Sequence, residues 1–81
     1  MSVDHRVRRC LVDVLGVDEP SIAEGLPLAD IDDWDSLNAV RLLTNLERHL
    51  GASLDYEAFM AAETVGDVSL LVATTEAATV R

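Results

Sequence analysis

"DWDSLNAVRLLTNLERHLG", residues 33–51, has the spacing of an amphipathic helix with a marked start and a marked stop. Successive helical residues turn by about 100°. On that wheel Ala39, Leu42, Leu43, Leu46 and Leu50 gather on one side as a stripe to be buried. Leu37, Arg41, Thr44 and Arg48 gather on the opposite side, flanked by Val40 and Glu47. Asp35 or Ser36 opens the helix, Leu50 ends it, and Gly51 supplies the stop.

The sequence to either side is helical in pattern too, and no segment alternates for long with period two. A first helix is expected over Ser2–Leu15, with Ser2 as N-cap, Val3, Val7, Cys10, Leu11, Val14 and Leu15 on one face, and Gly16 as stop. His5, Arg6, Arg8 and Arg9 fall on its other side. The connection "GVDEPSIAEGLPLADIDDWD", residues 16–35, is long for a compact domain, and such loops tend to be functional. Ile22, Leu26, Leu28 and Ile31 are expected to pin it across the core. A short third helix fits Tyr56–Ala62 after an Asp55 cap. A fourth starts at "TVGD", residues 64–67, where Thr64 and Asp67 have the spacing of a capping box. Val65, Val68, Leu71, Val72, Thr75 and Ala78 share one of its faces. The expectation is all-α: a small four-helix bundle of three amphipathic helices and a short third one, with a long first loop, as one domain over 1–81.

The 81 residues hold 15 Asp and Glu against 6 Arg and no Lys, a net charge of −9. That balance disfavours nucleic acid, which needs a basic footprint, and favours solubility and partners with basic surfaces. Three aromatics, Trp34, Tyr56 and Phe59, make no base-stacking platform. No apolar run reaches the roughly 20 residues of a membrane span, and "MSVDHRVRRC" lacks the apolar core of a signal peptide. A cytoplasmic monomer is expected. Cys10, the lone cysteine, reads as a small buried hydrophobe.

Few residues carry chemistry. Asp30, Asp32, Asp33 and Asp35 do not match a calcium loop, which counted from Asp30 would want an oxygen ligand at Trp34, glycine at Asp35 and glutamate at Arg41. No metal is expected. His49 lies 13 residues along the helix from Ser36, roughly 20 Å at about 1.5 Å per residue. Without a glycine-rich elbow around Ser36, nucleophilic catalysis finds no support and no catalytic residue is assigned. Ser36 itself fits a plain helix-starting serine. It also follows a long, partly apolar loop, starts the best-patterned helix, and adjoins the outward Leu37. A phosphodiester on its oxygen would sit near the free N–H groups and positive dipole end of the helix.

The D-S-L, the apolar positions, the "LE" and the glycine stop of residues 33–51 resemble the second helix of acyl carrier proteins. The likeness extends over nearly all of the chain, through the order of helices and the "TV" before the last one. It implies a carrier, not an enzyme. A phosphopantetheinyl transferase would move 4'-phosphopantetheine from coenzyme A, with Mg²⁺, onto Ser36, and Asp35 and Leu37 would serve its recognition. Further partners implied are an acyl- or aminoacyl-loading enzyme and ketosynthase, condensing or tailoring enzymes. They would dock on Leu37, Val40, Arg41, Thr44, Glu47 and Arg48, with Trp34 packing the loop or touching a partner or the arm.

Carriers of bacterial fatty-acid synthesis typically have a strongly acidic second helix. Here Glu47 is its only acid, Arg41 and Arg48 stand on the outward stripe, and acid has moved into Asp30–Asp35. With Trp34 before the D-S-L, this points to a polyketide, nonribosomal-peptide or related specialised pathway. The alternatives are a fatty-acid-synthesis or aminoacyl/peptidyl carrier and, from another class, a helical interaction module without a prosthetic group.

Overall fold

The computed structural model describes residues 3–79. Its helices are α1 (His5–Leu15), α2 (Ser36–Leu50), α3 (Tyr56–Ala61) and α4 (Val65–Thr79), with 3₁₀ turns at Glu19–Ser21 and Leu28–Asp30 in the long first connection. No strand forms among the described residues; one isolated bridge joins Pro27 to Thr64. The four-helix architecture is the one expected. α1 packs on α2 and α4, and α3 packs on α4.

Each helix carries the signals that start and stop it. Asp35 caps α2 by accepting the Asn38 N–H at 2.8 Å, and Gly51, at φ 67°, closes the other end on the Glu47 carbonyl. That left-handed residue is one that glycine adopts without steric cost. Asp55 caps α3, which ends at Ala61 because Ala62 is already extended. The capping box at α4 is formed: Asp67 N–H donates to Thr64 Oγ1 at 3.1 Å, while Asp67 Oδ2 accepts from Thr64 N–H at 3.2 Å and Glu63 N–H at 2.9 Å. Those backbone donors hold the Asp67 carboxyl below the usual carboxylate range.

α1 begins later than expected. Asp4, not Ser2, caps it by accepting the Arg6 N–H at 2.8 Å, and Val3 is buried just ahead of the helix. Ser2 lies outside the described residues. Arg6 does not stay on the polar side. It binds Asp4 through Nε and Nη2 at 3.1 and 2.9 Å, and Glu76 on α4 through Nη1 and Nη2 at 2.9 and 2.8 Å. The planar guanidinium suits two such forks at once. Arg6 holds both carboxyls below their ordinary values, and they raise its own. These carboxylates therefore add stability above the ordinary carboxyl range near pH 4 and lose it as pH falls through their lowered folded values. Arg6→Ala should lower the melting midpoint by a few degrees at pH 7, and that gap should narrow below about pH 4 in melts recorded from pH 7 to 3.

The core comprises Val7, Cys10 and Leu11 of α1, Ala39, Leu42, Leu43 and Leu46 of α2, Phe59 of α3, and Val65, Val68 and Val72 of α4. Ile22, Leu28 and Ile31 of the loop are buried among them, with Leu26 partly so. Full burial of each Val, Leu, Ile or Phe side chain among them is worth roughly 1.5–3 kcal/mol. The α2 wheel holds, with Leu50 half-buried at its end. Val14 is half-buried, and Ala78, placed on the core face by spacing, is exposed, because α4 outruns the core beyond Val72. Burial pushes the Cys10 thiol up, which disfavours the reactive thiolate.

The loop earns its position through backbone bonds. Leu28 N–H donates to the Glu63 carbonyl at 2.9 Å, Val65 N–H to Leu26 at 3.0 Å, and Gly66 N–H to Glu24 at 2.8 Å. The first amides of α4, which a helix leaves without partners, are thus capped by the loop.

Candidate functional site

The loop delivers the chain to α2 through a tight turn. Leu28–Asp30 forms a 3₁₀ turn, Ile31 plugs into the core, and Trp34 N–H donates back to the Ile31 carbonyl at 3.1 Å. Within that turn Asp33 has φ 64°, the one positive φ of a non-glycine among the described residues. Trp34 is half-buried and packs against the core, fixing the approach. Asp35 then caps, and Ser36 is the first residue of the helix.

This division of labour decides between the two uses of the serine. A capping serine would commit its hydroxyl to the helix. Here the carboxylate of Asp35 does that, and Ser36 is exposed. The N–H groups of Ser36 and Leu37 have no partner among the described residues. An anion bonded to Ser36 Oγ would meet open donors and the positive end of a 15-residue helix.

A groove of about 280 Å³ opens beside the serine, lined by Trp34, Asp35, Ser36, Ala39, Phe59, Met60 and Ala62. Most of that lining is apolar, and one wall comes from α3 and the residue after it. Sequence reasoning gave α3 no part in the site. The signal that could have found it is Met60, an apolar residue next to the core residue Phe59 on a short helix.

The outward residues of α2 lie where the wheel puts them. Leu37 is 69% exposed, and Val40, Arg41, Thr44 and Arg48 are exposed as well. Glu47 is the exception. It is half-buried, and its Oε2 accepts the Leu54 N–H at 2.8 Å, so its carboxylate serves the turn after α2. Arg41 donates to Asn38 Oδ1 at 3.3 Å. His5 and His49 line a separate groove of about 410 Å³ together with Arg6, Arg8, Arg9, Val12 and Glu19. Ser36 is not among its residues, and so the site brings neither histidine to the serine. Among the described residues no cluster of His, Cys, Asp and Glu is arranged to hold a metal ion, and no helix is long and apolar enough to cross a membrane.

Comparison with known proteins bears on the same segment. The family model described as "Phosphopantetheine attachment site" matches residues 5–72, from the start of α1 to the last buried residue of α4. The acyl carrier protein of Sinorhizobium fredii (strain NBRC 101917 / NGR234) is 34% identical over 65 residues, covering 80% of this chain and 83% of the relative. Acyl carrier protein AcpP of Rhizobium meliloti (strain 1021) matches with the same identity and the same coverage. A helical module without a prosthetic group does not account for these likenesses. The chain belongs to the acyl carrier protein family: it is a carrier with a 4'-phosphopantetheine group, not a catalyst, and it works with a phosphopantetheinyl transferase and acyl-handling enzymes.

Proposed function

We propose that Ser36 carries the 4'-phosphopantetheine and that the chain shuttles thioester-bound intermediates in a specialised pathway of polyketide or nonribosomal-peptide type. The observation that carries the first part is the exposed Ser36 hydroxyl at the start of α2, released from capping by Asp35 and bordered by the apolar groove. When bound, the group supplies a thiol at the end of a flexible arm. Ser36 Oγ would take the phosphopantetheinyl group from coenzyme A, losing its proton as the adenosine bisphosphate leaves. The N–H groups of Ser36 and Leu37 would steady the resulting phosphodiester. Trp34, Ala39, Phe59, Met60 and Ala62 offer apolar shelter to what is carried. A tethered cargo reaches a docked enzyme at high effective concentration.

The test is intact-protein mass after incubation with coenzyme A, Mg²⁺ and a broad-specificity phosphopantetheinyl transferase. One added group is expected, and peptide fragmentation should place it on Ser36. Addition at another residue would refute the assignment.

The pathway reading rests on the exposed Arg41 and Arg48 of α2 and on the acid of Asp30–Asp35 before it. Asp35 and Leu37 serve the transferase, while Leu37, Val40, Arg41, Thr44 and Arg48 form the main docking face, with Trp34 behind it. Partners with a wholly basic socket are disfavoured there. In this reading the whole chain, 1–81, is one carrier domain and acts as a cytoplasmic monomer. A second reading, carriage in fatty-acid synthesis, is favoured by the kinship with the rhizobial carriers. The two part company in a competition. The loaded chain should be used better by a polyketide ketosynthase than by a fatty-acid-synthase ketosynthase. Arg41→Glu with Arg48→Glu should shift the kcat/KM ratio toward the latter several-fold, the scale of two exposed charge contacts of about 0.2–1 kcal/mol each. That shift should shrink in high salt. A preference for the fatty-acid enzyme that the double variant leaves unmoved would favour the second reading.

A further inference from the structure

Asn38, two residues beyond Ser36, turns its side chain back across the start of the helix. Its Nδ2 donates to the Asp33 carbonyl at 2.7 Å, the shortest side-chain hydrogen bond around the serine. Its Oδ1 accepts from Arg41 Nη1 at 3.3 Å, and its own N–H is the one that Asp35 caps, at 2.8 Å. The two side-chain partners settle the amide's orientation, since a carbonyl demands the NH₂ and a guanidinium demands the oxygen. The residue gripped is Asp33, at φ 64°, a left-handed conformation that costs residues bearing a Cβ, though Asp less than most. Such a conformation persists only where its surroundings over-determine it. Trp34 N–H holds the turn from one side through Ile31, and Asn38 holds it from the other.

We propose that Asn38 is a positioning residue for loading. By clamping Asp33 in the left-handed region it fixes the direction in which residues 33–35 enter α2, and with it the pose in which Ser36 is offered to the transferase. This rests on the reading of Ser36 as the attached residue. Asn38 need not touch the reacting atoms. It acts through Asp33 and the cap.

The consequence is a split between binding and chemistry. Without the clamp the turn samples other backbone states, and only the fraction in the native turn docks. Apparent affinity falls by that fraction, and the step after docking is unaltered. Asn38→Ala should raise KM for the apo protein about five- to tenfold, the scale of one net hydrogen bond, at unchanged kcat. Asn38→Asp keeps the shape and loses the donor, so it should share the defect. Asp33→Gly in the Asn38→Ala background should reverse most of the rise in KM, because glycine enters positive φ freely.

Two measurements keep the idea apart from a merely structural role. The three-bond HN–Hα coupling of Asp33 in the unloaded protein, read by NMR without any transferase, should move off its positive-φ value in Asn38→Ala. Melting midpoints should fall by no more than the few degrees that one hydrogen bond is worth, so that the protein stays folded in the assay. An unmoved coupling, an unchanged KM, or a double variant no better than Asn38→Ala overturns the proposal. Wild-type loading on Ser36 beside an indifferent Asn38→Ala refutes this inference alone. Loading at another residue refutes the Ser36 reading together with it.

Discussion

Ser36→Ala is expected to abolish loading outright while leaving the protein at least as stable as the wild type. The two halves of that result have separate causes. Loading needs an oxygen at residue 36, and alanine has none, so no added mass should appear with coenzyme A, Mg²⁺ and transferase at any time point. Stability depends on the cap, and the cap is Asp35. Ser36 is an exposed first-turn residue, where alanine is the better helix former by up to roughly 0.5 kcal/mol. Asp35→Ala, by contrast, removes the acceptor of the Asn38 N–H and should cost about 1 kcal/mol. A serine that was itself the cap would give the opposite pattern, with Ser36→Ala destabilised. Loading that survived Ser36→Ala would show that the arm sits elsewhere.

The second large effect is expected on another helix, at Gly66 of α4. By helix propensity alone Gly66→Ala should stabilise α4 by up to about 1 kcal/mol. The structure reverses the sign. A Cβ on Gly66 would lie 2.9 Å from the Glu24 carbonyl oxygen, and that carbonyl accepts the Gly66 N–H at 2.8 Å. The obstacle is backbone, held by three bonds between the loop and residues 63–66, so it cannot swing aside as a side-chain tip could. Overpacking of this kind costs about 1–3 kcal/mol. Gly66→Ala should come out destabilised despite its better propensity, and Gly66→Val should lose about 2–3 kcal/mol. That is a fall of roughly 10–20 °C in melting midpoint for a domain of this size. Urea and thermal melts of both variants decide it. A Gly66→Ala as stable as wild type would mean that the loop stands off α4 in solution.

Gly66 also marks where sequence reading stops. α2 was legible in full, because its apolar spacing, its Asp35 cap and its Gly51 stop all lie within one short segment. The α4 capping box was legible for the same reason. What escaped was made by contacts across the chain. Glu24 meets Gly66, Leu28 meets Glu63, and Arg6 meets Glu76, and no local period encodes any of these. Arg6 was placed on a polar face by its spacing, yet two carboxylates drew it in. The start of α1 was placed too early because Asp4 fits a cap as well as a serine does, and its carboxylate accepts the Arg6 N–H. Around Ser36 the serine and its neighbours were readable from the D-S-L. The α3 wall of the groove was not, since an exposed apolar side chain such as Met60 is commonplace without a neighbour to give it meaning. In the sequence Asn38 is merely the residue that follows the D-S-L. Its importance lies in a bond to the backbone of a residue five positions earlier.

The loop's dependence on residues 63–66 has a bearing on how the molecule comes into being. A growing chain emits α1, the loop and all of α2 before the carbonyls of Glu24 and Leu26 have anything to hold. The loop before the proposed attachment serine is therefore anchored only once residues 63–66 have been made. A chain cut before residue 63 would present Ser36 after an unmoored loop, although the clamp of Asn38 on Asp33 lies wholly within residues already made.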